Sequence, residues 1–165
     1  MEDKHATGLN ENPMKVIFSY DDVFYSFFYD DTVMCTHRSR EYALNYVYSG
    51  EMLIDNGREK IHVGKGECVF IPRDHNINMY KRPHGGERYC GIFMMFTRHF
   101  LRDIYSRNDM YKTFADAGRM KPAVTKLPHT AELVSLFASM TPYFDRSVSP
   151  QADFMDLKMQ EGLLA

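Results

Sequence analysis

Three features of the sequence predict a mainly β fold, in which short strands are followed by α-helices. Between residues 14 and 96, runs rich in aromatic and β-branched residues alternate with polar turns, which is typical of strands. After Thr97, apolar residues recur at spacings of three and four, which is the period of a helix face. The chain has 165 residues, 44% of them hydrophobic and 14% aromatic, which is enough for the core of one domain.

The predicted strands are bounded by residues that favour turns. Asp21-Asp22 and Asp30-Asp31 separate the first strands, and the loop 82–86 precedes the last. Strands are expected at 14–20, 23–29, 33–37, 75–81 and 87–96, with two runs flanking Asn56-Gly57 and one ending at Pro72. Structural turns are expected at Gly50, Asn56, Gly57, Gly66 and Pro72.

Asn56-Gly57 predicts a two-residue type I′ hairpin, because both residues tolerate the positive φ angles that this turn requires. In that register Asp55 lies opposite Arg58, and Met52 lies opposite Ile61. One face of the hairpin is then mostly charged and the other mostly apolar, as expected for a sheet buried on one side.

Several segments together resemble a known family. Gly66 is followed by five residues, then Pro72, then a histidine three positions further on, which is similar to the small barrel called a cupin. The segments NYVYSGEM, VGKGECVFIPRDH and FMMFTRHFL resemble the N-terminal regulatory domain of AraC-type transcription regulators. The resemblance covers about residues 16–105.

This resemblance implies a cupin-type double-stranded β-helix, or jelly-roll barrel, with C-terminal α-helices. It also implies the sensory and dimerisation half of a regulator, without enzymatic activity. DNA would be bound only through a helix-turn-helix domain beyond Ala165. Effector binding and a homodimer are expected of such a domain. The competing hypotheses are a metal-dependent cupin enzyme, an isomerase or dioxygenase, and a barrel that binds a protein partner.

A metal site is not expected. Metal-binding cupins use two histidines two residues apart, a glutamate further along the same strand, and a third histidine. His37 occupies the first of these positions, but the others fall on Ser39, Ala43 and Ile77. Because three of the four ligands are missing, we predict no metal. No Gly-x-Ser-x-Gly or similar nucleophile motif and no glycine-rich phosphate-binding loop are present, so we predict neither catalytic residues nor another cofactor.

A small-molecule pocket is plausible inside the barrel. Strand alternation places His37, Ser39 and Asn45 on one face of neighbouring strands, and it places His75 and Met79 on the opposite wall. Apolar walls with a few polar groups suit a small ligand. The expected ligand-binding residues are His37, Ser39, Asn45, His75 and Met79. The alternative is that methionine and phenylalanine side chains fill the barrel and nothing binds there.

The C-terminal helices carry apolar stripes that could contact a second copy of the chain. One helix is expected after an N-cap at Thr97, one at 131–140 and one from Gln151 after Ser149-Pro150. The expected dimer contact comprises Leu133, Leu136, Phe137 and Met140, and a further stripe comprises Phe154, Leu157 and Leu164. Because the last helix reaches Ala165 without a stop signal, we expect more protein to follow.

The chain divides into a polar leader at 1–13, a barrel with its first helix at 14–105, and a connecting segment with helices at 106–165.

Composition limits the remaining possibilities. A formal net charge of −2 argues against nucleic-acid binding by this part of the protein. Three widely spaced cysteines and no apolar membrane span predict a cytoplasmic location with reduced thiols.

Overall fold

The computed structural model describes residues 14–107, 123–147 and 150–165, without the side chain of Ser39. The predicted polar leader 1–13, the N-cap at Ser149 and much of the connecting segment lie outside the described residues.

Two antiparallel sheets face each other, which confirms the mainly β jelly-roll prediction. The large sheet has the spatial order β1 (Lys15–Tyr20), β2 (Phe24–Tyr29), β9 (Tyr89–Phe96), β4 (Tyr42–Ser49), β7 (Cys68–Ile71) and β10 (Thr125–Lys126). The small sheet has the order β3 (Val33–Ser39), β8 (His75–Arg82), β5 (Glu51–Asp55) and β6 (Lys60–Val63). The chain crosses repeatedly between the two sheets, so residues distant in sequence meet inside the barrel.

The barrel core lies between the inner faces of the two sheets. Alternation along each strand sends every second side chain inward. The buried residues of this core are Phe27, Tyr29, Ala43, Val47, Met52, Ile54, Val63, Val69, Ile71, Ile77, Met79, Tyr89 and Val124.

Among the described residues, three helices cover the outer face of the large sheet: α1 (Arg98–Arg107), α2 (Ala131–Ala138) and α3 (Ala152–Leu164). The Thr97 hydroxyl accepts a hydrogen bond from the Phe100 amide at 3.1 Å, which confirms the predicted N-cap. Thr130 caps α2 in the same way, through the Leu133 amide at 3.2 Å.

The ends of the later helices differ slightly from the prediction. α2 stops at Ala138, two residues early, and a 3₁₀ turn at Thr141–Phe144 follows, with Pro142 in its first turn. α3 begins at Ala152 with Gln151 as its N-cap, one residue later than expected.

A second core fills the space between these helices and the large sheet. It combines Phe24, Leu44, Cys68, Ile92, Met94, Phe96, Leu133, Leu136, Phe137, Met140, Tyr143, Met155 and Met159. The strands β2, β4 and β9 are therefore buried on both faces, which explains why they read as nearly continuous apolar runs. Gly162 lets α3 approach closely, since a Cβ there would lie 2.8 Å from the Met94 Cε.

The predicted two-residue hairpin at Asn56-Gly57 is wrong. Asp55 pairs with Lys60 and Met52 with Val63, so the loop has four residues and the register is shifted by two. The Asn56 side chain accepts hydrogen bonds from the amides of Arg58 and Glu59, both at 2.9 Å, and this Asx-type turn replaces the type I′ turn. A shift of two residues preserves which side chains face inward, so the predicted faces are correct.

The other predicted turns lie where the strands end. Gly50 joins β4 of the large sheet to β5 of the small sheet with φ of 73°, and a Cβ there would lie 2.6 Å from the Arg82 carbonyl oxygen. Gly66 also has a positive φ, of 82°, before β7. Pro72 follows the last residue of β7.

Candidate functional site

The barrel interior near His37 is the first candidate site. His37 lies on β3, and its Nε2 is buried without a hydrogen-bond partner among the described residues. Its ring makes an edge contact with Phe93, with ring centroids 5.2 Å apart. Burial and then the nearby charge of Lys81 lower the pKa of His37, so the neutral imidazole is favoured.

Two other predicted pocket residues lie deep in the same interior. Asn45 is fully buried on β4, and its amide Nδ2 lies 3.8 Å from the Met52 sulfur, with the Tyr89 hydroxyl 3.5 Å from its Oδ1. Met79 is buried on β8, opposite Cys35 in the ladder. His37, Asn45 and Met79 therefore all belong to the inner lining.

The prediction that β3 and β4 are neighbouring strands is wrong. β3 pairs with β8 in the small sheet, whereas β4 pairs with β7 and β9 in the large sheet. His37 and Asn45 consequently reach the interior from opposite walls, although strand alternation assigned both of them to the inside.

His75 lies at the mouth of the barrel rather than in its interior. It pairs with Ser39 at the end of the β3–β8 ladder, and its Nδ1 lies 2.9 Å from the Arg73 carbonyl oxygen, to which the ring can donate. It lines a cleft of about 940 Å³ that also touches Tyr42, Arg58 and Val124. The predicted ligand residues thus divide between the interior and this cleft.

Two of the positions that hold ligands in metal-binding cupins are apolar and buried here. Ala43 is fully buried and Ile77 is 2% exposed. Across residues 14–107, 123–147 and 150–165, no three His, Cys, Asp or Glu side chains come together as possible metal ligands. Cys35, Cys68 and Cys90 are free thiols.

Lys81 was missed by the sequence analysis. It lies on β8 with the same parity as Ile77 and Met79, and it is 4% exposed. Strand alternation would have placed it inside, but its charge argued for an outward orientation. Burial lowers the pKa of its ammonium group.

A second candidate site is the surface of α3. Met155, Met159 and Gly162 face the large sheet and are buried. Phe154, Leu157 and Leu164 point away from it, with exposed fractions of 59%, 59% and 62%. A contiguous exposed apolar patch is typical of an interaction surface.

The residues predicted to form the dimer contact are buried inside their own chain. Leu133, Leu136, Phe137 and Met140 are all 5% exposed or less, because they pack against the outer face of the large sheet. The Tyr46 ring stacks on Phe137 at 4.1 Å, and the Tyr48 hydroxyl donates to the Phe137 carbonyl oxygen. These four side chains form the fold's own core and are not accessible to a second copy.

One buried carboxylate organises the outer side of the small sheet. The Glu51 Oε2 lies 2.7 Å from the His62 Nε2, and Arg82 donates to Oε1. The His84 Nδ1 lies 3.6 Å from the same Oε2. The hydrogen bond with His62 lowers the pKa of Glu51, and the hydrogen bond and positive charge of Arg82 lower it further. Together they outweigh burial, which would raise that pKa.

Sequence comparison identifies the family. The model of the ExsA N-terminal regulatory domain matches residues 42–165. The chain belongs to that family. It is a family of regulatory domains of AraC-type transcription regulators rather than of enzymes, which confirms the resemblance predicted from the sequence. No curated protein matches the chain in sequence.

Two structures of ToxT support the same fold. ToxT from Vibrio cholerae has a TM-score of 0.58 at 7% identity, over 84% of this chain and 54% of ToxT. ToxT from Vibrio cholerae O395 bound to (E)-4-(8-methylnaphthalen-1-yl)but-3-enoic acid has a TM-score of 0.58 at 7% identity, over 86% and 55%. A cupin superfamily protein from Desulfitobacterium hafniense DCB-2 has a TM-score of 0.42 at 16% identity, over 55% and 84%. The chain therefore spans about half the length of ToxT. Among the described helices, none is both long and apolar enough to span a membrane.

Proposed function

We propose that this regulatory domain acts in the cytoplasm as the sensory and dimerisation half of its regulator, pairing two copies so that two attached helix-turn-helix units reach two DNA half-sites. The observation that supports pairing is the exposed apolar face of α3. Phe154, Leu157 and Leu164 have no role in the core of their own chain, so burying them against a second copy would remove apolar surface from water without disturbing that core.

The spacing on α3 suits a helix-to-helix contact. Phe154, Leu157, Glu161 and Leu164 follow one another at intervals of three, four and three, which is the pattern of a coiled-coil seam. Glu161 lies within this stripe and is paired with Lys158, whose Nζ lies 2.8 Å from Oε2. A groove of about 620 Å³ between α2 and α3, lined partly by Leu157 and Leu164, widens the contact surface.

Sedimentation of the chain with Leu157→Glu tests the proposal. Leu157→Glu places a charge in the centre of the stripe and should convert a dimer to a monomer while leaving the barrel folded. Met34→Glu is the matched control, because Met34 is 49% exposed on the small sheet, far from α3 in the fold. A wild-type chain that remains monomeric at high concentration, or equal weakening by both variants, contradicts the proposal.

The signal that controls this pairing is the second part of the proposal. We infer that a small-molecule effector reaches the barrel from the cleft at His75 and contacts His37, Asn45 and Met79. The buried Nε2 of His37, which lacks a partner among the described residues, supports this, because buried polar groups are rarely left unsatisfied. Ser39 belongs to the proposed site because it pairs with His75 at the end of the β3–β8 ladder.

The acid bound by ToxT is a suitable first probe. Titration with (E)-4-(8-methylnaphthalen-1-yl)but-3-enoic acid should shift the ring resonances of His37 and His75 if the barrel admits a ligand of that size. His37→Phe, which fills the position with an apolar ring, should abolish the shift near residue 37 and leave α3 unchanged. Unshifted resonances at millimolar probe would favour a protein partner as the signal.

The protein-partner alternative has its own supporting observation. On the outer face of the small sheet, Met34, Tyr80 and Leu53 lie opposite one another in register across three strands. Met34 and Tyr80 are both exposed there. A partner seated on this row would contact the side of the barrel opposite to α3, so both contacts could be made at the same time.

A further inference from the structure

The environment of Lys81 is unusual for a charged side chain. Lys81 extends from β8 across the barrel and is 4% exposed. Its Nζ lies 4.5 Å from the ring centroid of Phe27 and 5.8 Å from those of Tyr29 and Tyr89. All three rings belong to the large sheet, whereas Lys81 belongs to the small sheet, so the contact links the two walls of the barrel.

The usual partner of a buried ammonium group is missing from this interior. Among the described residues, no carboxylate lies within ion-pair distance of the Lys81 Nζ. The titratable groups that face it are Tyr29, Tyr89, Cys35 and His37. Burial disfavours the charged amine, whereas three aromatic faces attract a cation once water is excluded.

Rings gathered around one ammonium group form the arrangement by which proteins recognise organic cations. We propose that the interior of this barrel is an aromatic cage for an alkylammonium group, and that the chain occupies this cage with its own Lys81. The side chain takes the position that a cationic ligand would occupy, and it holds the small sheet against the large one. Truncating the Lys81 side chain at its Cβ would remove three methylene groups and the amine. The space left would fit a primary alkylammonium ion of three carbons.

Chemical rescue tests this directly. Lys81→Ala removes the three outer methylene groups and the amine, which is the size of n-propylammonium. The variant should melt several degrees below the wild type. Millimolar n-propylammonium chloride should raise its melting temperature in a saturable way and leave the wild type unchanged. Sodium chloride at equal ionic strength and 1-propanol, a neutral analogue of similar size, are the controls.

The results separate a cation site from a simple cavity. Saturable rescue by n-propylammonium that exceeds rescue by 1-propanol supports the proposal. Equal rescue by the two compounds means that only volume matters, and it overturns the proposal. Absence of rescue by n-propylammonium in a folded Lys81→Ala protein overturns it as well.

If Lys81→Ala does not fold, a second measurement on the lysine itself decides. Nuclear magnetic resonance of the Lys81 amine gives its pKa in the otherwise unchanged protein. Phe27→Leu removes the nearest ring and should lower that pKa further, because the charged form loses its attraction to the ring face. Met52→Leu is the matched control, since Met52 pairs with Lys81 across the strands and carries no ring. An unchanged pKa in Phe27→Leu, or equal changes in both variants, overturns the cage.

Discussion

The outer faces of the two sheets differ in what covers them. On the large sheet, Leu44, Ile92 and Met94 point outward and are buried beneath the helices. On the small sheet, the Thr36 hydroxyl donates to the Asn78 side chain at 2.9 Å, and Asp55 lies opposite Lys60, all facing solvent or partly so. Both sheets contribute buried apolar side chains to the barrel interior, so the difference arises from their outward-facing residues.

This difference shows how a barrel acquires a second layer on one of its sheets. A strand with apolar residues on both faces needs a second layer, and the helices supply it. The helix layer then presents a new outer surface of its own, the exposed stripe of α3. Apart from the row of Met34, Tyr80 and Leu53, the outward-facing residues of the small sheet are mostly polar, so this face needs no second layer and remains open to solvent.

The largest effect is expected at the buried interface of the helix layer. Leu136→Glu would put a carboxylate into the core between α2 and the large sheet, where Leu136 has no exposure. Loss of apolar burial and charge desolvation together should cost about 5 kcal/mol or more, enough to unfold the domain. Circular dichroism with urea denaturation measures this.

Val134→Glu is the matched control for that prediction. Val134 lies on the same helix but is 40% exposed. Its substitution should change the free energy of unfolding by less than about 1 kcal/mol. Comparable losses in both variants would mean that α2 does not dock as described.

The next largest effect is expected where the chain passes from one sheet to the other. Gly50 has a positive φ, and a Cβ would clash with the backbone of Arg82 and Tyr89. Gly50→Ala should therefore destabilise the fold by about 3 kcal/mol. Gly57 has a similar φ of 82° but open space around it, so Gly57→Ala should cost only about 1 kcal/mol. Thermal denaturation of the two variants compares them, and equal costs would contradict the tight crossing at Gly50.

A smaller effect concerns the buried carboxylate on the outer side of the small sheet. The pKa of Glu51 in the folded chain is lowered below its ordinary value of 4.5, first by the hydrogen bond to His62 and then by Arg82. The resulting stabilisation is complete above that ordinary value and is lost as the pH falls through the folded pKa. Glu51→Gln should flatten the acid side of the stability curve.

Urea denaturation between pH 3 and pH 7 checks the prediction for Glu51. Glu59→Gln is the control, since Glu59 is an exposed residue of the neighbouring loop. If the Glu51→Gln variant keeps the acid slope of the wild type, that slope comes from other carboxylates and the prediction is contradicted.

The smallest effect is expected on the uncovered face of the small sheet. Met34→Glu changes an exposed side chain on an edge strand. The free energy of unfolding should change by no more than about 0.5 kcal/mol. A loss above about 2 kcal/mol in urea denaturation would mean that this face is covered after all.

Strand alternation predicted much of the fold because it depends only on local pattern. The inward orientation of His37, Asn45 and Met79 followed from parity, and parity survives errors in register by two residues. The Asn56-Gly57 hairpin failed because the Asn56 side chain bonds to the following amides, a local competition that residue types alone do not resolve.

Features that depend on tertiary contacts could not be predicted from the sequence. Both stripes of the C-terminal helices are apolar, and nothing in their spacing indicates that Leu136 faces the sheet while Leu157 faces solvent. Lys81 was missed because a charge on an inward position is normally excluded, and because the rings that surround it come from the opposite sheet.

The contact between copies through α3 is the central claim, and isotope-filtered nuclear magnetic resonance tests it most directly. In a mixture of labelled and unlabelled chains, cross-relaxation that passes only between copies should connect the methyl groups of Leu157 and Leu164 with the ring of Phe154. Intermolecular signals confined to Met34 and Tyr80 of the small sheet would contradict this claim. A sample that sediments as a dimer but gives no intermolecular signals from Leu157, Leu164 and Phe154 would contradict it as well.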